Sequence, residues 1–378
     1  MNWRYTLREK ILKLADLIES DRKRFIKLIV EEAGKTIRDA DGEIREAIDF
    51  CRFYADESLN IVPVSHKSVS GENSTTYYPP RGHWLTINPW NFPLAILVGQ
   101  TVAPLVMGNR VTIKASEKTP RIALAAHELM LAARLDVDLT FSQDLDKSLY
   151  NGVSFTGSHP TAKIIHRELA QLDGVIIPFI AETSGLNCTI VDSSVLLEQT
   201  VKLVAESAFN SNGQRCSSTR QLLIQDSIAE EFIEMLTKHM ETWNIGSSFS
   251  DDYSGEPYEI NRGIISEEIF GPNLSYETFH AKEDVLEIIN GSGYGLTLGI
   301  HSRVKGFCDY FSENTRVGNI YINRNQIGAV VESQPFGGAG LSGTGPKAGG
   351  KDYLKKFVYE KTVTTNLTAL GGNVELLT

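Results

Sequence analysis

Apolar residues recur at helical spacing through the first part of the chain. Leu7, Ile11, Leu12, Leu14, Ala15 and Ile18 share one face of a 3.6-residue period. Ser20 or Asp21 is placed to cap a second helix, Gly34 to stop it, and the period resumes over 36–54. Residues 61–80 change period. Val62, Val64, Thr75, Thr76, Tyr77 and Tyr78 suggest a hairpin around Gly71, Glu72 and Asn73, closed by Pro79 and Pro80. From Arg81 onward short β-prone runs alternate with helical ones. HWLTINP reads as a strand stopped at Pro89, 90–93 as a turn and 94–106 as an apolar helix. Further strands are expected at 109–114, 153–156, 176–180, 219–224, 296–301, 318–323 and 358–367. Helices are expected from 119 onward and at 161–170, 201–209, 227–241 and 284–290. Such alternation predicts an α/β fold built on a parallel, doubly wound sheet. Two stretches break the pattern: 247–260 is rich in Ser, Asp and Gly, and 334–350 is rich in Gly, so both read as loops.

Composition narrows the function classes. The 378 residues are 42% hydrophobic and 22% charged, an ordinary globular balance long enough for more than one domain. A net charge of -10 with no basic block argues against a nucleic-acid partner. No apolar run reaches the roughly 18 residues of a membrane span. The N-terminus is charged and amphipathic, unlike a signal peptide. The four cysteines (Cys51, Cys188, Cys216 and Cys308) are too scattered for a disulfide framework or a zinc site, so no metal is expected. These features imply a reducing, cytoplasmic setting.

One cysteine stands apart. Cys216 follows a helical run and precedes a β-prone one, and its loop is polar: Asn212, Gln214, Arg215, Ser217 and Ser218. A free Cys is most often a buried small hydrophobe, but a core position tolerates such neighbours poorly. A nucleophile is the alternative. Glu182 follows the strand expected at 176–180, which would place it at the carboxyl edge of the sheet where ligands of such folds bind. Asn91 sits in the turn after an earlier strand, where its amide can donate to an oxyanion. Each has a bland reading too: a cap or ion pair for Glu182, its own turn for Asn91. No GxGxxG fingerprint is present, and a lone FTGS at 155–158 is weak evidence for a phosphate site, although a small-residue turn opening a helix suits one.

Taken together, PWNFP at 89–93, TIKASEKTP at 112–120, FTGS at 155–158, AETSGLN at 181–187, GQRC at 213–216 and EEIFGP at 267–272 resemble the aldehyde dehydrogenase superfamily, in that family's order and over most of the chain. The resemblance implies a Rossmann-like NAD-binding domain (1–60 and 81–184), an α/β catalytic domain (185–355) and a small β oligomerisation arm (61–80 and 356–378) that makes at least a homodimer. It implies that Cys216 attacks an aldehyde, that Asn91 and the Cys216 N–H hold the oxyanion, and that Glu182 activates the hydrolytic water. For the cofactor NAD it implies Lys114 and Glu117 at the adenosine ribose, Gly157 and Ser158 at the pyrophosphate, Glu268 at the nicotinamide ribose and Phe270 beside the ring, with Trp90 as a further cofactor contact. YINRNQIGAVV, QPFGGAGLSGTGPKAGG and TTNLTALGGN are similar to the aldehyde dehydrogenase domain of proline utilisation A proteins, which oxidise L-glutamate γ-semialdehyde. On that basis Ser217, Ser342 and Gly343 are candidate substrate ligands, with glycine N–H groups facing a carboxylate. Nothing resembles the flavin-binding proline dehydrogenase barrel.

The chain departs from the family pattern at three places. Residues 135–151 are short and replace a connection that carries a cofactor-side strand. Residues 243–264 are shorter still, which is expected to expose apolar surface and an unpaired sheet edge. Ser184 stands where Gly is usual, a strain if the turn needs a positive φ. Two readings follow: a working enzyme with trimmed surface elements, or a remnant that keeps the motifs and acts only in binding or assembly.

Overall fold

The computed structural model describes residues 2–67, 69, 71–243, 245–246, 253–254, 258–367 and 369. Three helices open the chain: α1 (Asn2–Ser20), α2 (Arg22–Ala33) and α3 (Ile37–Glu57). Gly34 takes φ 65° and ends α2. Thr36 Oγ1 accepts the Asp39 N–H and caps α3. Next come β1 (Val64–Ser65) and β2 (Glu72–Tyr77), paired antiparallel as the hairpin expected at 61–80.

The alternating region follows in chain order: β3 (His83–Ile87), α4 (Ala95–Val106), β4 (Arg110–Lys114), α5 (Pro120–Ala132), β5 (Val137–Thr140), β6 (Gly152–Thr156), α6 (His159–Ala170) and β7 (Phe179–Glu182). These strands form a five-stranded parallel sheet in the order β5-β4-β3-β6-β7. The largest core packs α1–α5 against this sheet, where Ile11, Leu14, Phe25, Ile44, Tyr54 and Trp84 are all buried. Two expectations change here. The strand expected at 176–180 starts at Phe179 instead, and Ile176 is 97% exposed, because no neighbouring strand reaches it. The short segment 135–151 does carry a strand, β5, which pairs with β4.

A second unit contains β8 (Cys188–Val191), α7 (Leu197–Phe209), β9 (Gln221–Gln225), α8 (Ala229–Glu241), β10 (Ile245–Gly246), β11 (Tyr253–Ser254), β12 (Glu259–Arg262), β13 (Asn273–Phe279), α9 (Lys282–Gly291), β14 (Tyr294–Gly295), β15 (Thr297–His301), α10 (Lys305–Asn314), β16 (Asn319–Ile322) and β17 (Ala339–Gly340). Six of these strands make a parallel sheet in the order β12-β13-β9-β8-β15-β16. The pattern reading missed β8 and β13. CTIV is a short apolar run without alternation, and NLSYETF hides its strand period behind polar residues. Much of the irregular stretch 247–260 lies outside the described residues. The edge of this sheet next to it is β12, which pairs with β13 on its inner side and whose Arg262 bonds Glu277 at 3.1 Å. A short, charged outer strand is how sheet edges are protected.

The last strand, β18 (Lys361–Asn366), pairs antiparallel with β2 and completes a three-stranded arm with β1. The remainder of the expected arm, residue 368 and 370–378, lies outside the described residues. The arm begins later than 356: Phe357 and Val358 are buried in the first core, so the chain leaves the body only after them. No described helix is long and apolar enough to cross a membrane.

Candidate active site

The site forms where loops leaving the two parallel sheets meet, and its centre is the turn 215–218. Ser211, Asn212 and Gly213 take φ of 55°, 58° and 63°, three successive left-handed residues that end α7 and throw the chain into this turn. Non-glycine residues at positive φ cost free energy, so something must hold them. Asp39 of α3 does so. Its Oδ2 accepts the Ser211 hydroxyl at 2.9 Å, and its Oδ1 accepts from Arg215 Nη2 at 2.8 Å. From the other side Asn187 Nδ2 donates to the carbonyls of Cys216 and Ser218 at 2.5 and 2.9 Å. Thr297 Oγ1 and Gln326 Nε2 grip the Ser217 carbonyl at 3.0 and 3.3 Å. The turn is therefore fixed through its carbonyls. Among the described residues, none accepts from the Cys216 N–H. Cys216 itself is half-buried.

Asn91 arrives on the turn after β3, next to α4. Its Nδ2 donates to the Gln214 carbonyl at 2.9 Å, so the amide abuts the nucleophile loop. This turn is anchored beneath by a buried ion pair, Lys35 with Glu43 at 2.7 Å. Glu43 Oε1 also accepts the N–H groups of Leu94 and Ala95 at 2.8 and 3.2 Å and so caps α4. A carboxylate at a helix N-terminus is favoured by the dipole as well.

Glu182 ends β7. Its Oε2 accepts the Gly338 N–H at 3.0 Å, while Oε1 is buried with no described donor. Burial pushes its carboxyl up to about 8, against the lowering effect of the Gly338 and Gly345 N–H groups and Lys347. The glycine-rich loop is thus spent on Glu182. A Cβ on Gly343 would sit 2.7 Å from Glu182 Oε2, and Gly343 bridges to Glu182 through the backbone. Ser342 is fully buried: its hydroxyl accepts the Gly295 N–H and its carbonyl the Thr183 N–H, so it braces the loop. Ser217 is buried beside the nucleophile.

Electrostatics at Cys216 run against the thiolate. Burial first, then the carboxylates of Glu268, Glu182 and Glu46, push the thiol up to about 12, and Arg220 alone pulls it down. Arg220 and Glu268 form a buried couple that the motifs did not announce. Arg220 Nε and Glu268 Oε1 lie 3.6 Å apart, and neither atom has a described hydrogen-bond partner. Arg220 Nη1 and Nη2 hold the carbonyls of Gly271 and Arg215. Burial raises Glu268 above the usual carboxylate range, while Arg220, the Ser184 hydroxyl and the Gly185 N–H act to lower it. Ser184 does not take a positive φ, so the strain expected there is absent.

The residues expected to hold a dinucleotide fit that group. Lys114, at the end of β4, pairs with Glu117 at 3.1 Å. Ser158 caps α6, and Gly157 must be glycine because a Cβ there would meet the Phe155 ring at 2.5 Å. Trp90 packs edge-on to Phe270 at 5.8 Å and stacks beneath Lys118. Glu268 Oε1, ion-paired with Arg220 but without a described hydrogen-bond donor, retains acceptor capacity for a hydroxyl. Two hollows adjoin the loops. One, of about 470 Å³, is lined by Phe92, Ser211, Arg215, Glu46, Arg324 and Gly328, so it touches both the Asn91 and Cys216 turns and carries charges of both signs. The other, about 660 Å³, is a mostly apolar groove along α6 whose lining includes Gly343 and the two neighbours of Glu182, Ala181 and Thr183.

The chain is a member of the aldehyde dehydrogenase family, which it matches over residues 2–259 and 256–363. It is 37% identical to the bifunctional protein PutA of Escherichia coli (strain K12), over 92% of this chain and 30% of that one. It is 31% identical to 1-pyrroline-5-carboxylate dehydrogenase of Geobacillus sp. (strain WCH70), over 94% of this chain and 80% of that one. The chain thus spans about 30% of the length of that PutA relative. Among solved structures it is similar to a bifunctional proline utilization A protein (38% identity, TM-score 0.91, covering 97% of this chain and 43% of the other). It is also similar to a Thermus 1-pyrroline-5-carboxylate dehydrogenase with bound NAD (27%, TM-score 0.92, 96% and 82%).

Proposed function

We propose that the chain oxidises L-glutamate γ-semialdehyde to L-glutamate with NAD, as a cytoplasmic homo-oligomer of at least two copies. The five-stranded unit would bind the cofactor, the six-stranded unit would carry the nucleophile, and the β1-β2-β18 arm would join subunits. One observation carries the reading: a half-buried thiol on a turn clamped through its carbonyls, served by a carboxylate with an unpartnered buried oxygen.

Cys216 Sγ gives up its proton to solvent water and bonds as thiolate to the aldehyde carbon, and the carbonyl π electrons move to oxygen. Asn91 Nδ2 and the Cys216 N–H donate to that oxyanion. When bound, the nicotinamide supplies the acceptor for the hydride that leaves carbon, and Lys114, Glu117, Ser158 and Glu268 would hold the dinucleotide. A thioester remains on Cys216. Glu182 Oε1 takes a proton from water, whose oxygen attacks the acyl carbon while the C–S bond breaks and the thiolate leaves. Ser217 and Gly343 are the candidate substrate ligands near the reacting carbon. The remnant reading has less support, since the chain retains every candidate catalytic residue and each shortened segment carries a strand paired into its sheet.

The test compares kcat/KM for glutamate γ-semialdehyde, succinic semialdehyde and hexanal. A site that bonds polar groups rejects an apolar analogue by roughly 10⁴-fold, and succinic semialdehyde should fall between. Hexanal oxidised as well as the amino-acid semialdehyde would overturn the substrate assignment.

A further inference from the structure

The ribose end of the proposed cofactor site contains a residue that no motif accounts for. Gln143 lies in the shortened segment, three residues beyond the end of β5 at Thr140. Its Nε2 donates to Glu117 Oε1. Lys114 Nζ reaches the same oxygen at 3.1 Å. Sheet register explains the meeting: Lys114 stands opposite Thr140, so the chain leaving β5 passes the end of β4. The turn carrying Gln143 is shaped by the Ser142 N–H on Thr140 Oγ1 and the Ser142 hydroxyl on the Asp144 carbonyl, both at 3.1 Å. Two donors therefore converge on one carboxylate oxygen of Glu117, and among the described residues none donates to Oε2.

We propose that Gln143 is a positioning residue for Glu117 and thereby sets the preference for NAD over NADP. The inference rests on reading Lys114 and Glu117 as the adenosine-ribose pair. Glu117 is 50% exposed, on a turn where its side chain is otherwise free to rotate. Held through Oε1, it keeps Oε2 available to a ribose 2′-hydroxyl. A 2′-phosphate brings close to two negative charges against the same fixed carboxylate. Lys114 cannot answer them while its charge is matched by Glu117. The following residues, Asp144 and Asp146, add only negative charge, and the next cation, Lys147, is taken by Glu168 at 2.9 Å. Without Gln143 the carboxylate is free to swing out and expose Lys114, so the loss acts mainly on the NADP side.

Calorimetric titration of the full chain with NAD and with NADP tests this, using wild type, Gln143→Ala and Glu117→Gln. Wild type is expected to favour NAD. Gln143→Ala should lower the ratio of the NADP and NAD dissociation constants about tenfold, the factor carried by one hydrogen bond to a charged group, chiefly by tightening NADP. An unchanged ratio in Gln143→Ala, with Glu117→Gln lowering it, overturns the proposal and leaves the ribose pair standing. Equal weakening of both cofactors in Gln143→Ala overturns it as well, since that marks a merely structural role. An unchanged ratio in Glu117→Gln, or wild type binding neither cofactor, overturns the proposal together with the reading beneath it.

Discussion

Glu182 and Cys216 show how much a residue's behaviour depends on surroundings that motif spacing does not reveal. The polar loop around Cys216 and the strand before Glu182 were enough to mark both as chemical candidates. The sequence could not show that the glycine-rich loop folds back to donate the Gly338 N–H to Glu182, 156 residues upstream. Nor could it show that burial and three carboxylates hold the Cys216 thiol up at about 12. The consequence is a pH dependence with a definite sign. Glu182, raised to about 8, is mostly protonated at neutral pH and works as a base only when ionised. Thioester hydrolysis should therefore rise with pH, about tenfold per unit below pH 8, and level off above it. A flat steady-state profile between pH 6 and 9 would remove Glu182 from that role. Glu182→Gln should retain a single burst of NADH with slow turnover after it, and equal loss of burst and steady state would point to binding or folding instead.

Elements that the hydrophobic pattern marked clearly, α1–α6 with β3, β4 and β6, are those with an unbroken period and a glycine, proline or threonine at their ends. The ones it missed owe their strand state to neighbours. CTIV at β8 is a strand because β9 and β15 flank it, and NLSYETF at β13 because β9 and β12 do. The connection between α3 and the Asn91 turn was equally invisible, since nothing in the pattern around Lys35 and Glu43 marks them as a pair. They are in fact a buried pair, and Glu43 caps α4. Glu43→Ala leaves Lys35 buried and unpaired and uncaps α4, so it should cost about 3–5 kcal/mol in chemical denaturation. Lys35→Met together with Glu43→Gln, which removes the buried charges but keeps a cap acceptor, should cost clearly less. If both variants lose the same stability, the buried charge is not what the pair is there to neutralise.

At the scale of the whole molecule, the arm β1-β2-β18 has too little packing to stand alone. All of β18 is exposed, and Val64, Tyr77 and Val363 offer apolar surface to water. A second copy covering that sheet is the expected remedy. Because Phe357 and Val358 belong to the core, the informative truncation removes residues 361–378 and spares them. The full chain should sediment as a dimer or larger at micromolar concentration and the truncated chain as a monomer. A monomeric full chain would contradict this. The account's central claim, that Cys216 carries the acyl group which Glu182 then hydrolyses, is tested most directly by the intact mass of Glu182→Gln after mixing with NAD and glutamate γ-semialdehyde. The account predicts one glutamyl group per chain, mapped to Cys216 by peptide analysis and absent in Cys216→Ala. An unmodified chain that nevertheless produced NADH, or a label on another residue, would contradict it.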